Sequence, residues 1–352
     1  MAPAAQNGLG NSLQALLAAL GTSMLLLLAM PGRFGWWPLL FIALVPLLVF
    51  VAGKGPRLSF SAGMLTGFFY HAGMLYWIVI VLGRYGGLPP ALSFPAMLLL
   101  AMYMGLYTAL FSCLLGYFLS GKNSQHAMPA VILIAAPVLW VGLDWLRSVL
   151  FSGFPWMDLG YGLSSRPLLL QIADLGGHHL VTFSLVLINT LIVFLLNLFQ
   201  SSSRTGVRGR KGWPAVTAAI VFLLAAGSYS ALRFQQISRM AETSPLLQVT
   251  VVQGNISQDE KWTPAMKKST LDVYRNLSEE TVRDNDSTLV VWPETALPFF
   301  PVNDPLFSMV TDWIADHDFW LLTGAPYFVI SGDLRHSFKN AVEYFNLSLI
   351  HI

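Results

Sequence analysis

The sequence predicts a multi-pass α-helical membrane domain over residues 1–232, followed by an α/β domain over residues 246–352. Hydrophobic residues make up 55% of the 352 positions and charged residues only 11%, whereas an ordinary soluble domain carries about 25% charged residues. The charge is also unevenly divided. Residues 1–230 carry 11 Lys/Arg against three acids, a net charge of +8, and residues 231–352 carry nine Lys/Arg against 15 acids, a net charge of −6. A basic, apolar half is therefore followed by an acidic half.

Seven apolar segments of the first half are long enough to be membrane helices, since a hydrocarbon core of about 30 Å takes roughly 20 apolar residues. They are residues 13–30, 36–52, 58–82, 91–119, 127–145, 180–199 and 213–232. Loops on the side of the N-terminus hold seven Lys/Arg and the opposite loops hold four, which predicts a cytoplasmic N-terminus. An odd number of spans then places the second domain outside, in the periplasm of a bacterium.

One stretch of the first half is too polar for a simple lipid-facing helix, and it contains Asp144, Arg147 and Asp158. Asp144 and Arg147 are three residues apart and could pair on one helix face. Charges at membrane depth are functional candidates, and the alternative is an anchor at the outer interface. His178 and His179 follow two glycines, but no third metal ligand is evident nearby. We therefore predict no metal site and a loop or interface role for the two histidines.

The second half alternates strands and helices, the order typical of a layered α/β domain. Strands are predicted at residues 246–255, 287–292, 319–325 and 340–350, which are β-branched or apolar runs. A helix is expected after Thr263, a candidate N-cap that precedes Pro264. A second helix is expected after Asp304, which precedes Pro305.

Glu294 follows the second predicted strand, directly after Trp292 and Pro293. Reacting groups of α/β sheets gather at the carboxyl ends of strands, and a carboxylate in an apolar setting there could act as a general base. The alternative is a surface acid close to a helix N-terminus. Lys261 and Lys339 are weaker catalytic candidates, because solvated lysines are common in acidic domains.

Several short stretches together carry a resemblance to a known family. They are Tyr85-Gly86-Gly87-Leu88-Pro89, Leu146-Arg147, Gly153-Phe154-Pro155-Trp156, Val252-Gln253-Gly254-Asn255-Ile256, Lys261-Trp262 and Val291-Trp292-Pro293-Glu294-Thr295-Ala296-Leu297-Pro298. The last is the most specific, because a strand that ends in Trp-Pro-Glu resembles the general-base strand of the nitrilase superfamily. The combination of this strand with the membrane spans that precede it resembles the apolipoprotein N-acyltransferases. The resemblance covers about residues 10–330.

The resemblance implies an inner-membrane enzyme with a periplasmic nitrilase-like α/β sandwich, of which residues 246–352 would be the N-terminal part. Such enzymes take an acyl chain from a phospholipid as a cysteine thioester. They pass it to the α-amino group of a diacylglyceryl-modified apolipoprotein. Glu294 matches the general base, and Trp262 matches a tryptophan that packs against acyl or other substrate groups. No cofactor, metal or nucleic acid is expected as a partner.

Two members of the family's Glu, Lys, Cys triad have no match in this sequence. The family's lysine lies in a stretch resembling Tyr-x-Lys-x-His-Leu-Val-Pro-Phe-Gly-Glu, which does not occur before Ile352, and the single cysteine, Cys113, lies in the fourth apolar segment. We therefore expect a C-terminally truncated chain that is inactive alone. The alternatives are a catalytically dead scaffold that binds lipid or lipoprotein, a membrane-anchored amidase and, last, a transporter.

Overall fold

The computed structural model describes residues 3–120, 130–151, 153–205, 212–257, 261–284, 289–301, 303–317, 319–330 and 336–345. The chain divides into two compact units, Met1–Glu242 and Thr243–Ile352. We call them the helical unit and the α/β unit. Their boundary falls in the interval where the sequence changes from basic and apolar to acidic.

The helical unit contains nine described α-helices and three short turns of other helix types. They are α1 (Pro3–Ala29), a 3₁₀ turn (Trp37–Phe41), α2 (Val45–Ala52), α3 (Pro56–Met74), α4 (Trp77–Ile80), a π-helical turn (Val81–Tyr85), α5 (Pro90–Leu119), α6 (Ile132–Val149), a 3₁₀ turn (Leu159–Leu163), α7 (Pro167–Leu170), α8 (Ala173–Thr205) and α9 (Trp213–Thr243). Within the described ranges, five helices are long and apolar enough to cross a membrane, and α3 with Trp77–Tyr85 forms a further pair bent by 51°. The chain is a multi-pass membrane protein.

The structure differs from the prediction of a full span at residues 36–52. This segment is divided into the 3₁₀ turn and the eight-residue helix α2, which is about 12 Å long at 1.5 Å per residue. Pro46 lies in the first turn of α2, and a proline cannot continue a helix from the preceding turn. The seven long spans on which the predicted orientation depends are thus not all present as long helices in the described chain.

Side chains of two neighbouring helices form hydrogen bonds with the backbone amides and a carbonyl at this break. Asn189 of α8 donates from Nδ2 to the Leu40 carbonyl oxygen at 2.8 Å and accepts from the Leu44 amide at 2.9 Å. Thr22 of α1 accepts from the Leu47 amide at 3.1 Å. Irregular backbone at membrane depth is tolerated where protein groups satisfy its donors and acceptors, so these contacts explain how a broken segment can lie inside the unit.

Helices α3 and α5 approach each other closely at Gly67 and Gly105. A Cβ atom on Gly67 would lie 2.6 Å from the Cα of Gly105, which is far inside van der Waals contact. The hydrophobic effect does not drive helices together inside a membrane, so they associate through close van der Waals packing. Small residues at facing positions allow this packing. The close approach also fixes the next turn of α3, which carries Tyr70 and His71.

The described residues of the α/β unit form a four-stranded sheet and two helices. They are β1 (Val249–Val251), α10 (Met266–Asp284), β2 (Leu289–Val291), α11 (Leu306–Ala315), β3 (Trp320–Ile330) and β4 (His336–Phe345). The strand order is β1-β2-β3-β4. The first three strands are parallel, with Val251 opposite Val291 and Val291 opposite Leu322, and β4 is antiparallel to β3. The predicted alternation of strands and helices is therefore present.

The fourth strand begins earlier than predicted. It starts at His336, and Lys339 lies inside it opposite Tyr327, whereas the sequence placed Lys339 before a strand at residues 340–350. Residues 346–350 of that prediction lie outside the described residues.

Trp292 joins the central strand to both helices of the α/β unit. Its ring stacks on Tyr274 of α10 at 5.4 Å and on Trp313 of α11 at 5.6 Å. Its Nε1 donates to Ser278 Oγ at 2.9 Å, and the side chain is 3% exposed. A buried indole needs a hydrogen-bond partner for its N–H. The bond to Ser278 therefore fixes the position of Trp292, which lies two residues before Glu294.

The sequence predicts Asp304 as the N-cap of α11, but the N-cap is the next residue, Pro305. Asp304 still supplies the side-chain oxygen that accepts from the first amide of the helix. Its Oδ1 accepts from the Leu306 amide at 3.1 Å and its Oδ2 accepts from Lys267 Nζ at 2.8 Å. Burial alone would raise the pKa of the Asp304 carboxyl, but the hydrogen bonds from Lys267 and Leu306 and the Lys267 charge hold it below its usual value of 3.8. The carboxylate is therefore stabilised in the folded chain.

We expect Asp304→Asn to make the α/β unit less sensitive to acid. A carboxyl whose pKa is lower in the folded than in the unfolded chain stabilises the fold above its unfolded pKa, and this stabilisation is lost as the pH falls through the folded pKa. Asparagine keeps the capping oxygen and removes the charge, whereas Asp304→Ala also removes the cap, at about 0.5–2 kcal/mol near neutral pH. Urea unfolding followed from about pH 6 to 3 would test this, and equal acid losses in the wild type and Asp304→Asn would contradict it.

Candidate active site

Glu294 lies at the carboxyl end of β2, where the sequence predicts it. Trp292 continues the pairing of this strand, since its amide donates to the neighbouring strand at 2.9 Å. The chain then turns, and the Ala296 amide donates to the Pro293 carbonyl oxygen at 3.1 Å. Glu294 and Thr295 are the two residues at the tip of this turn. They occupy the edge of the sheet where ligands of parallel α/β sheets bind.

The backbone of this turn is strained at Thr295. Its φ is 51°, a conformation that is a genuine outlier for a β-branched residue. Gly324 of β3 lies against the turn, and a Cβ atom there would be 2.6 Å from the Thr295 amide nitrogen and 3.0 Å from Glu294 Cα. Strain of this kind costs about 1–3 kcal/mol and occurs preferentially at functional sites. The fold thus holds Glu294 in a position that the local sequence does not favour.

Lys261 contacts the same turn. Its Nζ donates to Thr295 Oγ1 at 3.1 Å and, over a longer distance of 3.4 Å, to the Glu294 carbonyl oxygen. Burial lowers the pKa of the Lys261 ammonium group from its usual 10.5, and the charge of Glu294 acts in the opposite direction. From its sequence Lys261 is a weaker catalytic candidate than Glu294, but the structure places it beside the turn that carries Glu294.

The side chains of both predicted site residues are accessible. Glu294 is exposed, so the apolar setting expected for it is not found, because the turn projects from the edge of the sheet. Trp262 is 48% exposed and follows Lys261 directly. An exposed indole and an exposed carboxylate on adjoining segments can both reach a bound molecule.

The other two candidate residues belong to other elements of the chain. Cys113 lies in α5 of the helical unit and is half-buried. Lys339 lies in β4, which pairs with β3 beyond Gly324. The described residues thus supply a carboxylate, an ammonium group and an indole at the candidate site.

A second polar cluster lies inside the helical unit. Asp144, Arg147 and Asp158 are each 5% exposed or less. Arg147 pairs with Asp144 at 3.1 Å and also with Asp158, and His178 Nε2 donates to Asp158 Oδ2 at 2.8 Å. The predicted pair of Asp144 and Arg147 is confirmed, and it lies inside the unit rather than at an exposed interface. We call these four residues the buried polar cluster.

The structure also supplies the third group that the sequence analysis did not find near the two histidines. Ligand atoms of Asp158, His178 and His179 all lie within 4.8 Å of one another. Asp158 is 20 residues upstream of His178 and reaches it only through the fold. No local spacing could have indicated this group.

Comparisons with known proteins agree on one family. Residues 22–191 match the model of the apolipoprotein N-acyltransferase N-terminal domain. An apolipoprotein N-acyltransferase of Geobacter metallireducens is 34% identical over 294 residues, which cover 83% of this chain and 53% of that protein. One from Azotobacter vinelandii is 31% identical over 94% of this chain and 59% of its own length. One from Pseudomonas syringae pv. tomato is 29% identical over 93% of this chain and 60% of its own length.

The chain therefore spans between about half and three fifths of the relatives that it resembles. The similarity to these three relatives covers 83–94% of this chain. It therefore extends well beyond residues 22–191, the region that matches the family model. The similarity therefore covers helical and α/β residues alike.

Proposed function

Because this chain belongs to the apolipoprotein N-acyltransferase family, we propose that it is the membrane domain and the first part of the catalytic domain of such an enzyme. The donor is a phospholipid and the acceptor is the N-terminal amine of a diacylglyceryl-modified apolipoprotein. The sheet of β1 to β4, with α10 and α11, is proposed to be part of a nitrilase-like sandwich. Acyl transfer then proceeds in two steps through a cysteine thioester.

The observation that carries this proposal is the position of Glu294. An exposed carboxylate lies on a strained turn at the carboxyl end of a parallel strand, next to an ammonium group held at 3.1 Å from Thr295. Such a carboxylate can take the proton of a thiol as it attacks the donor ester and return it to the lysophospholipid oxygen that leaves. It can then take the proton of the acceptor amine and return it to the cysteine sulfur as the thioester breaks. Lys261 keeps the turn in place, so the carboxylate is oriented before substrate binds.

Trp262 is proposed to contact the substrates. Its indole is 48% exposed, and a large exposed aromatic ring can pack against an acyl chain or the lipid-modified cysteine. Its neighbour Lys261 reaches the turn of Glu294, so bound acyl groups would lie close to the proposed base.

We also propose that the helical unit lies in the bacterial inner membrane and that the α/β unit faces the periplasm. The support is the group of Arg204, Arg208, Arg210 and Lys211 in the sequence just before α9. Such basic loops are typically cytoplasmic, so α9, a candidate span, would lead from the cytoplasm to the periplasm. Protease added to intact spheroplasts should therefore cleave the α/β unit. Cleavage only after lysis of the spheroplasts would place that unit in the cytoplasm and contradict the proposal.

The 352-residue chain alone should form no thioester with a labelled phospholipid acyl chain. The sequence contains one cysteine, Cys113, and this residue lies within α5, a membrane-spanning helix. A chain whose residues 1–330 are continued by the C-terminal part of the Geobacter relative should form the adduct. The measurement is hydroxylamine-sensitive label after gel electrophoresis.

Two outcomes would contradict this expectation. Label on the 352-residue chain that is lost in Cys113→Ser would show that this cysteine is acylated. A well-inserted extended chain that forms no adduct and transfers no acyl group to an apolipoprotein would argue against the acyltransferase proposal itself.

A further inference from the structure

The buried polar cluster contains two acidic residues, one arginine and one histidine. Asp144 and Asp158 contribute two carboxylates, and Arg147 contributes one guanidinium group. A net charge inside a membrane protein is costly unless a partner compensates it. The side chains of Asp144 and Arg147 are buried inside the unit. The side chain of His178 is 33% exposed and therefore lies at the surface of the unit. The Asp158 end of the cluster can therefore be reached from the side of His178.

Three groups that bind metal ions meet on this side. The ligand atoms of Asp158, His178 and His179 lie within 4.8 Å of one another. Two ligands bound at about 2.0–2.1 Å to a tetrahedral zinc ion lie about 3.3 Å apart. Movements of about 1–2 Å, within the range of side-chain rotation, would therefore bring all three onto one ion.

Both histidines directly follow a break in α8, and their rings lie close together. Gly176 and Gly177 have non-helical backbone angles, with φ 63° at Gly177. Adjacent residues of a regular helix project about 100° apart, yet the ring centroids of His178 and His179 are 4.0 Å apart. Tyr161 stacks on His178 at 4.9 Å and holds this ring in place. Two imidazoles are thus directed at the Asp158 carboxylate.

One nitrogen of this group has no partner in the described structure. Nδ1 of His179 is buried and makes no hydrogen bond to a described residue. A buried polar atom without a partner calls for an explanation, such as an ion or a water molecule. The other oxygen of Asp158 is held by Arg147, as the outer hydrogen bonds of metal-binding carboxylates commonly are.

We propose that Asp158, His178 and His179 bind a zinc ion. Two histidines and one carboxylate are the ligand set of zinc sites that keep an open fourth position. Here that position is filled by water or by an anionic oxygen. The ion replaces the hydrogen bond between His178 and Asp158, and the Asp158 carboxylate balances part of its charge. The partly exposed face of His178 is the entry path.

The test is zinc binding by the full chain, purified in detergent without a histidine tag and stripped with a chelator. Titration with zinc chloride, followed by gel filtration and metal analysis, should give about one ion per chain. His179→Ala should bind at least tenfold more weakly, because it removes one of the three proposed ligands, whose Nδ1 makes no hydrogen bond to a described residue. The matched control is His317→Ala, in the α/β unit, whose Nδ1 contacts the Trp313 carbonyl oxygen at 2.7 Å; it should bind as the wild type does.

Two further readouts keep the proposal falsifiable if a variant folds poorly. Cobalt bound to the wild type should show the visible absorption of a four- or five-coordinate site, and zinc should raise the unfolding temperature of the wild type by mass action. The proposal is overturned if the wild type retains no more zinc than His179→Ala, or if His317→Ala loses the same amount. It is also overturned if saturating zinc leaves the unfolding temperature of the wild type unchanged.

Discussion

Glu294→Gln is expected to lower acyl transfer by about 10²–10⁴-fold in a chain that is continued by the C-terminal part of a relative. Glutamine has the size of glutamate but cannot accept a proton from a thiol or an amine. The exposed side chain lies on a turn held by Lys261 and Gly324, and the substitution leaves the backbone contacts of that turn unchanged. The loss should therefore appear in the rate of thioester formation, with membrane insertion intact.

The matched control is Glu280→Gln, which removes an exposed carboxylate on α10. It changes the net charge by the same amount and should leave transfer unchanged. Both rates are measured as the appearance of labelled thioester and of labelled apolipoprotein. Undiminished transfer in Glu294→Gln would remove this residue as the base, and an equal loss in Glu280→Gln would indicate a general effect of charge.

Features of the α/β unit that depend on local signals could be predicted from the sequence. The order of strands and helices follows from short apolar runs separated by polar segments. The start of α11 could be predicted because an aspartate before a proline is a strong signal for a helix start, although the N-cap is Pro305 rather than Asp304. The position of Glu294 at a strand end follows in the same way. The bounds of the strands were less accurate, since β1 has three residues where ten were predicted.

Features that depend on distant residues could not be predicted from the sequence. At the break in residues 36–52, the Leu40 carbonyl and the Leu44 amide are hydrogen-bonded to Asn189, which is more than 140 residues away in the sequence. The contact of Lys261 with the turn spans 34 residues, to Thr295. Hydropathy cannot distinguish a continuous membrane helix from a broken one, because both are apolar. They differ in which groups hydrogen-bond to the backbone amides and carbonyls at the break.

The exposure of Glu294 is a further difference between expectation and structure. Apolar neighbours in the sequence suggested a buried carboxylate. In the fold those neighbours point inward, with Trp292 3% exposed and Ala296 and Leu297 fully buried, whereas the turn directs Glu294 outward. Its proposed reactivity therefore depends on orientation by Lys261 and on the substrates that would cover it.

Arg147→Met is expected to destabilise the helical unit by about 3–5 kcal/mol. The substitution leaves two carboxylates, Asp144 and Asp158, at 5% and 2% exposure without their guanidinium partner. Removing one partner of a buried ion pair costs much more than the pair itself contributes, because the remaining charge stays desolvated. Unfolding of the full chain in mixed detergent micelles should show the loss. Arg233→Met, which breaks a half-exposed pair with Asp174, should cost only about 0–1 kcal/mol.

A triple variant separates the loss of a contact from the burial of uncompensated charge. Asp144→Leu, Arg147→Met and Asp158→Leu together remove every formal charge of the pair network, and apolar replacement of a buried ion pair is often neutral or stabilising. If unpaired charge is the cause, the triple variant should recover most of the stability that Arg147→Met loses. If Arg147 instead stabilises the unit mainly through packing of its side chain, the triple variant should be at least as unstable as the single one. A loss in Arg147→Met no larger than that in Arg233→Met would show that neither explanation holds and that water already reaches the cluster.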